Sequence, residues 1–167
     1  YGVDYGIENW SEGEGEAVGD AWVKSSKLNA KQAGDKPTRI GADILGRLID
    51  EVPVLAALAT QAEGVTQFCD LEPLRNKESD RIKETARLLE AFGARIEVHG
   101  ERLDVYGPTS LKPAQVEVGH DHRLALSAFV LALLAAGEST LRAVEAVDVS
   151  FPDFIEKLEV LGIELNS

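Results

Sequence analysis

The chain has 167 residues and a formal net charge of −12, with 44% hydrophobic and 28% charged residues. A chain of this length and composition is expected to fold as a soluble globular domain with a buried core. The excess of acidic residues argues against nucleic acid or an anionic membrane as a partner, so an anionic ligand must be held by local cations.

Hydrophobic periodicity predicts short strands that alternate with helices. The strands are predicted near residues 1–8, 18–23, 65–69, 94–98, 102–106, 115–118, 139–142 and 163–165. The helices are predicted near residues 46–62, 79–92, 122–136 and 152–161. The helix starts are marked by residues suited to an N-cap or a first turn: Pro53, Ser79, Asp121, and Ser150 with Pro152. A glycine marks each helix end: Gly64, Gly93, Gly137 and Gly162.

Three further features bear on the class of protein. The stretch SEGEGEAVGD predicts a solvated hairpin or loop. Cys69 is the only cysteine, so it cannot form an internal disulfide, and we expect a core residue in a cytoplasmic protein. The longest apolar run, from Leu124 to Gly137, is shorter than the roughly 18 residues that span a bilayer, which indicates a buried helix and no membrane partner.

The chain also contains an internal repeat. The stretch DEVPVLAALATQAEGVTQF resembles DHRLALSAFVLALLAAGESTL, and ESDRIKETARLLEAFGARIEV resembles SFPDFIEKLEVLGIEL. Each repeat pairs a wholly apolar helix with an amphipathic one, which predicts sheets packed around enclosed helices and an α/β (α+β) fold. We expect two pseudo-repeats, roughly 1–76 and 77–167. The chain opens on YGVDYGIEN, like the inside of a strand, so we expect a piece of a longer protein.

Charged residues cluster at the predicted helix starts, where free backbone N–H groups attract anions. Arg81 and Arg123 lie in first turns and can offer a bidentate fork to phosphate or carboxylate. The alternative for NKESDRIKE is a solvated helix start with local ion pairs. Arg123 leads into an apolar helix and needs a partner, either Asp121 or a bound anion.

Other polar residues of these clusters have ordinary explanations as well. Asp50 and Glu51 precede Pro53, and each is either a helix-start acid or a catalytic group. His120 and His122 flank Asp121 without the spacing of a zinc site, so no metal site is predicted.

Taken in order and spacing, four motifs resemble the C-terminal part of the 5-enolpyruvylshikimate-3-phosphate (EPSP) synthase family. They are LIDEVPVLAALATQAEG, RNKESDRIKETARLLEAFGARIEV, GHDHRLALSAFVLALLAAG and SFPDFIEKLEVLGI. The resemblance implies pseudo-symmetric βαβαββ repeats with enclosed helices, forming one lobe of the two-lobed enolpyruvyl transferase fold, an inside-out α/β barrel. It implies that the complementary N-terminal lobe, with further Lys and Arg ligands, lies outside this chain.

The resemblance also implies a reaction and roles for particular residues. The family transfers the enolpyruvyl group of phosphoenolpyruvate to the 5-hydroxyl of shikimate 3-phosphate and releases phosphate, with no cofactor. Asp50 falls at the position of the base, which also binds shikimate 3-phosphate, and Glu78 at that of the acid acting on the methylene carbon. Lys77 matches a contact to shikimate 3-phosphate, and Arg81 and Arg123 match the arginines that grip phosphoenolpyruvate.

Some positions depart from the family pattern. Val149 stands where many relatives have a lysine, His120 where they have glycine or asparagine, and Asn76 where they have valine. Two alternatives stay open: an isolated lobe that binds ligand or packs without catalysis, and a UDP-N-acetylglucosamine enolpyruvyl transferase. The second lacks KESDR and DHR in this form.

Overall fold

The computed structural model describes residues 1–13, 17–32 and 35–165. The strands are β1 (Asp4–Ser11), β2 (Val18–Lys24), β3 (Lys31–Gln32), β4 (Lys36–Ile40), β5 (Gly64–Phe68), β6 (Arg95–His99), β7 (Arg102–Gly107), β8 (Gln115–Glu117) and β9 (Thr140–Arg142). The helices are α1 (Ala42–Leu48), α2 (Val52–Ala59), α3 (Arg81–Ala91), α4 (His122–Leu134), α5 (Val147–Ser150) and α6 (Phe154–Val160). Two 3-10 segments, Ile49–Glu51 and Glu72–Asn76, precede α2 and α3.

The main sheet has the strand order β3-β4-β5-β7-β6. Strands β4 and β5 are parallel and are joined by α1 and α2, whereas β5 with β7 and β6 with β7 are antiparallel. The predicted boundary between the pseudo-repeats, near residue 76, lies between β5 and β7 in sequence. Because these two strands pair with each other, the boundary passes through the main sheet. A second parallel pair, β8 with β9, is joined by α4. Strands β1 and β2 form a separate antiparallel hairpin.

The core lies between the two parallel pairs and their crossover helices. Helices α2 and α4 contact each other, and α3 packs on both. The amphipathic pattern of α3 is confirmed: Ile82, Ala86 and Leu89 are buried, and Lys83 and Arg87 are exposed. Because the starts of α2, α3 and α4 are held together by this packing, side chains from distant parts of the chain meet at one end of the core.

Enclosure of α4 is only partly confirmed. Its first turns are buried, including Leu124, Ala128 and Leu131, but Leu133 is 49% and Leu134 38% exposed. Beside them lies an open groove of about 710 Å³, lined by residues of α4, β9, α6 and 163–165. The expected apolar face of α6 is also mostly uncovered, since only Leu158 of it is buried. Within the described residues nothing covers this side of the second parallel pair.

Several predicted boundaries were wrong. The helix predicted over 46–62 is two helices separated by a 3-10 turn, because Leu48 leaves the helical region and Pro53 begins a new first turn. The helix predicted from 152 starts at Phe154, after Pro152 and a left-handed Asp153. Residues 163–165 are not a strand in the described structure, since no described strand lies beside them. Strands β3 and β4 were not predicted.

Other expectations are confirmed with small shifts. The strand predicted over 1–8 is found as β1. Gly93 and Gly162 have positive φ and end α3 and α6, where the following amide bonds back to Leu89 O and Leu158 O. Cys69 is buried. The predicted SEGEGEAVGD loop falls partly outside the described residues. No helix in the described ranges has both the length and the apolar character needed to cross a bilayer.

Candidate active site

The site residues predicted from sequence lie at three neighbouring helix starts. Asp50 is in the 3-10 turn before α2, Lys77 and Glu78 are in the loop before α3, and Arg81 is the first residue of α3. Arg123 is in the first turn of α4. Asp80 and Asp121 cap α3 and α4, so Ser79 is not the cap that the sequence predicted. Ser79 instead donates to Asp121 Oδ2 at 2.8 Å.

Arg81 is the centre of the site. Its side chain is 1% exposed, and its guanidinium donates to three different carboxylates. Nε and Nη2 bond the two oxygens of Asp121 at 2.9 and 3.3 Å. Nη1 bonds Asp50 Oδ1 at 2.7 Å, and Nη2 bonds Glu78 Oε2 at 2.6 Å. Local ion pairs on a solvated helix start therefore do not describe this residue.

Lys77 completes the group around Asp50. Its Nζ lies 3.3 Å from Asp50 Oδ1, the oxygen that also accepts from Arg81. The side chains of Lys77, Asp50 and Glu78 are between 32% and 46% exposed, so they border solvent. The buried guanidinium is thus the floor of a site whose rim is formed by the candidate catalytic and substrate-binding groups.

The charge network shifts the pKa values of its members. Burial raises the pKa of Asp50, but bonds from Lys77 and Arg81 outweigh it, and the pKa lies below its ordinary value. The same balance, with Arg81 and Ser79 as donors, lowers the pKa of Asp121. Burial lowers the pKa of Arg81, but the Asp121 carboxylate outweighs it and the pKa is raised. Both carboxylates and the guanidinium are therefore charged at neutral pH.

Arg123 has a side-chain partner that the sequence analysis did not choose. Its Nη1 donates to Glu51 Oε1 at 2.7 Å. Asp121 accepts a hydrogen bond from the backbone N–H of Arg123, at 3.0 Å, but none from its side chain. The Arg123 side chain is 32% exposed. Glu51 was recognised as a helix-start acid, but nothing in the sequence indicates that it meets an arginine from another helix.

Two of the three departures from the family pattern can be placed relative to the site. His120 Nε2 lies 2.9 Å from the backbone oxygen of Glu78, so this histidine holds the loop that carries Lys77 and Glu78. Asn76 ends the 3-10 turn before that loop and is exposed. Val149 lies on α5 and is 81% exposed.

Metal-binding side chains come together elsewhere in the described structure. Glu97, His99 and Asp104 on β6 and β7 have ligand atoms within 4.8 Å of one another. The Arg102 Nε lies 3.0 Å from Asp104 Oδ1, so a guanidinium already faces the carboxylate that a cation would need. His120 and His122 belong to no such group among the described residues.

Two solved structures of enolpyruvyl transferases share this architecture. An EPSP synthase from Acinetobacter baumannii superposes with a TM-score of 0.84 and 30% identity, over 95% of this chain and 36% of that one. The enolpyruvyl transferase NikO from Streptomyces tendae superposes with a TM-score of 0.71 and 26% identity, over 98% of this chain and 33% of that one. The fold is thus that of the enolpyruvyl transferases.

Sequence comparison defines the family. The family described as EPSP synthase (3-phosphoshikimate 1-carboxyvinyltransferase) matches residues 14–158. Proteins named 3-phosphoshikimate 1-carboxyvinyltransferase from Thermosynechococcus vestitus and Bacillus anthracis are 40% and 38% identical over 96% of this chain. The chain belongs to the EPSP synthase family. It spans about a third of the length of these relatives, 35% and 36%.

Proposed function

We propose that the whole protein containing this chain is an EPSP synthase. It would transfer the enolpyruvyl group of phosphoenolpyruvate to the 5-hydroxyl of shikimate 3-phosphate and release phosphate. Family membership supports this activity, and the observation that carries it is the meeting of Asp50, Lys77 and Glu78 around buried Arg81, beside Arg123. These are the residues to which the family resemblance gives roles in the reaction.

The reaction requires acid and base groups at two places. In the addition step the 5-hydroxyl oxygen loses its proton and forms a bond to C2 of phosphoenolpyruvate. The methylene carbon of phosphoenolpyruvate gains a proton in the same step. In the elimination step phosphate leaves C2 and the methylene carbon loses a proton, which restores the double bond. Asp50 is ionised and half-exposed, so its carboxylate is accessible and able to accept the hydroxyl proton. The bonds from Lys77 and Arg81 lower its pKa and its strength as a base, so proton transfer to Asp50 is favoured when substrate binding draws one of these cations away. Glu78, on the rim of the site, suits proton transfer at the methylene carbon.

The cations suit anion binding to different degrees. Arg123 has one guanidinium nitrogen bonded to Glu51, so most of its fork is available for a phosphate or carboxylate. Lys77 borders solvent beside Asp50 and suits a contact to shikimate 3-phosphate. Arg81 is bonded by three carboxylates, so it reaches phosphoenolpyruvate only when Glu78 or Asp50 swings aside. We therefore assign the first contact to Arg123 and a later one to Arg81.

The charge balance supports a contribution from outside this chain. The site holds three cations and four carboxylates that pair with them. The cations are Lys77, Arg81 and Arg123, and the carboxylates are Asp50, Glu51, Glu78 and Asp121. A site with this balance is poorly suited to hold two multiply charged substrates alone. We propose that the complementary N-terminal lobe of the same protein supplies further cations, and that no cofactor takes part. A cytoplasmic location belongs to the same proposal.

The division into two pseudo-repeats stays a prediction. The order β4, α2, β5, α3 is followed in the chain by the order β8, α4, β9, α6, and each set contains a parallel pair of strands joined by a core helix. This correspondence supports repeats of the kind predicted from sequence, with α3 in the first copy and therefore with a division later in the chain than residue 76. It also equates Asp50 and Asp121, which precede the two core helices.

A steady-state assay tests the proposed function. The whole protein, given phosphoenolpyruvate and shikimate 3-phosphate, is expected to release phosphate, and these 167 residues alone are expected to release none. Turnover by the isolated chain would contradict the need for a second lobe. No ternary complex and no phosphate release by the whole protein would contradict the assignment itself.

Arg123→Ala gives a sharper test of the site. Because hydrogen bonds to charged groups contribute about 1.5–3 kcal/mol, the KM for phosphoenolpyruvate is expected to rise about 10- to 150-fold. Arg87→Ala is the matched control, since Arg87 is an exposed arginine on α3 that pairs with Glu84. If the Arg123→Ala and Arg87→Ala enzymes had the same KM for phosphoenolpyruvate, Arg123 would not be part of the phosphoenolpyruvate site.

A further inference from the structure

We infer that Asp121 is a positioning residue that sets the orientation of both arginines for phosphoenolpyruvate. This inference rests on the proposed function. Asp121 lies where the starts of α3 and α4 meet, and it accepts hydrogen bonds from both sides. From α3 and its preceding loop come Arg81 Nε, Arg81 Nη2 and Ser79 Oγ, and from α4 comes the Arg123 backbone N–H.

Burial separates the role of Asp121 from that of Asp50. The two residues correspond in the internal repeat, and both bond the guanidinium of Arg81. The Asp50 side chain is 42% exposed and also faces Lys77, so a substrate can reach it. The Asp121 side chain is 1% exposed, and its carboxylate has the same sign of charge as the phosphate and carboxylate groups of the substrates, so we place no substrate contact on it. Asp121 can therefore affect the reaction only through the groups that it holds.

The contacts of Asp121 fix three parts of the site at once. Two bonds to one guanidinium set the plane of Arg81. The bond to the Arg123 amide caps α4 and sets where the Arg123 side chain leaves the helix. The Ser79 bond holds the loop that carries Glu78. Small displacements of binding groups reduce rates strongly, because reaction needs the reacting atoms within a narrow range of positions.

The matched pair Asp121→Asn and Asp80→Asn tests this role in the whole protein. Both residues cap a helix, and Asp80 is the cap of α3 whose side chain bonds Lys83 N and Arg75. Asparagine caps about as well as aspartate, so each change mainly removes charge. For Asp121→Asn we expect the KM for phosphoenolpyruvate to rise about tenfold or more, since a charge-assisted bidentate bond is lost. We expect a smaller change in the KM for shikimate 3-phosphate, and no change in either KM for Asp80→Asn.

A double variant distinguishes positioning from general destabilisation. Lysine cannot reproduce the two parallel bonds of arginine, so in an Arg81→Lys background Asp121 has less to position. Asp121→Asn is then expected to raise the KM for phosphoenolpyruvate less than about threefold, a departure from additivity typical of residues that act together. Equal effects of Asp121→Asn in both backgrounds would overturn the inference.

Ser79→Ala keeps the inference testable if Asp121→Asn does not fold. It removes one bond to Asp121 and leaves the charges in place. We expect the KM for phosphoenolpyruvate to rise about threefold, in keeping with the loss of one hydrogen bond. An unchanged KM for phosphoenolpyruvate would count against the inference while leaving the proposed function intact. Absence of turnover in the unaltered protein would instead overturn the proposed function and this inference with it.

Discussion

Arg81→Leu tests how far the buried charge network stabilises this lobe. The change leaves the Asp121 carboxylate buried, with only Ser79 Oγ and the Arg123 N–H as donors. Removing one partner of a buried ion pair typically costs about 3–5 kcal/mol. Asp50 and Glu78 also lose a bond, but they are 42% and 46% exposed, and water replaces it. Asp121 therefore accounts for most of the expected loss.

The loss can be measured as a shift in Tm. In a domain of this size each kcal/mol lowers Tm by about 2–4 °C, so we expect a drop of about 6–20 °C at pH 7. Differential scanning calorimetry of the whole protein measures the transition of the lobe that contains this chain. Arg87→Leu is the control on the same helix, and because Arg87 is 43% exposed its change should stay below about 1 kcal/mol.

The pH dependence follows from the lowered pKa of Asp121. Burial raises that pKa, but the bonds from Arg81 and Ser79 outweigh it. The stability linked to the lowered pKa is present above the unfolded value of about 3.9, and is lost as the pH falls through the folded pKa. In Arg81→Leu the main opposing bonds are gone, so burial raises the pKa and acid protonates Asp121 in the folded state. The difference in Tm between the unaltered protein and Arg81→Leu is therefore largest at neutral pH and becomes smaller toward pH 4.

A second substitution shows whether Asp121 is the cause. Arg81→Leu with Asp121→Asn has no buried unpaired charge, so it should recover more than half of the lost Tm. A drop of less than about 2 °C for Arg81→Leu at pH 7 would refute the buried network as a source of stability. An equal drop in Tm for Arg81→Leu alone and for Arg81→Leu combined with Asp121→Asn would also refute it.

Two further changes test the fold and the second arginine. Gly107→Ala would place a Cβ 2.8 Å from Ala59 O and Thr60 O, so we expect a loss of about 1–3 kcal/mol, measured as a lower Tm. Its control is Gly46→Ala in α1, where nothing lies within 4 Å and no loss is expected; equal Tm values would contradict the steric argument. Glu51→Gln should change unfolding free energy by less than about 1 kcal/mol, because Glu51 and Arg123 are 46% and 32% exposed, and a larger loss in denaturant unfolding would show that the pair is structural.

Much of the secondary structure was predictable because it depends on local pattern. The amphipathic face of α3 and the apolar run of α4 each have a period that identifies a helix. The unpredicted strands β3 and β4 are short or carry polar residues, so they lack such a pattern. The predicted strand at 163–165 has a suitable local sequence, but a strand also needs a neighbour, and sequence pattern does not supply one.

Sequence motifs selected the residues of the candidate site, but they did not indicate most of its contacts. Asp50, Lys77, Glu78, Arg81 and Arg123 were chosen from motifs, and the structure brings the first four into direct contact. Ser79 was chosen only as a helix start, and Glu51 only as a helix-start acid or an alternative catalytic group. Asp121 was chosen as a helix start and as one of two alternatives for the partner of Arg123. Their contacts join residues 42 and 72 positions apart, which no local pattern indicates.

The sequence by itself determined the amphipathic helix α3, the apolar helix α4 with its Asp121 cap, and the family to which the chain belongs. The helices follow from local periodicity, and the family follows from four motifs in order and spacing. Only the tertiary structure decided that Arg81 is buried among Asp50, Glu78 and Asp121, and that Arg123 pairs with Glu51. The physical reason is that the attraction between two charges weakens as the distance between them grows and strengthens when they are removed from water. The distances between helix starts are set by how α2, α3 and α4 pack on one another in the core.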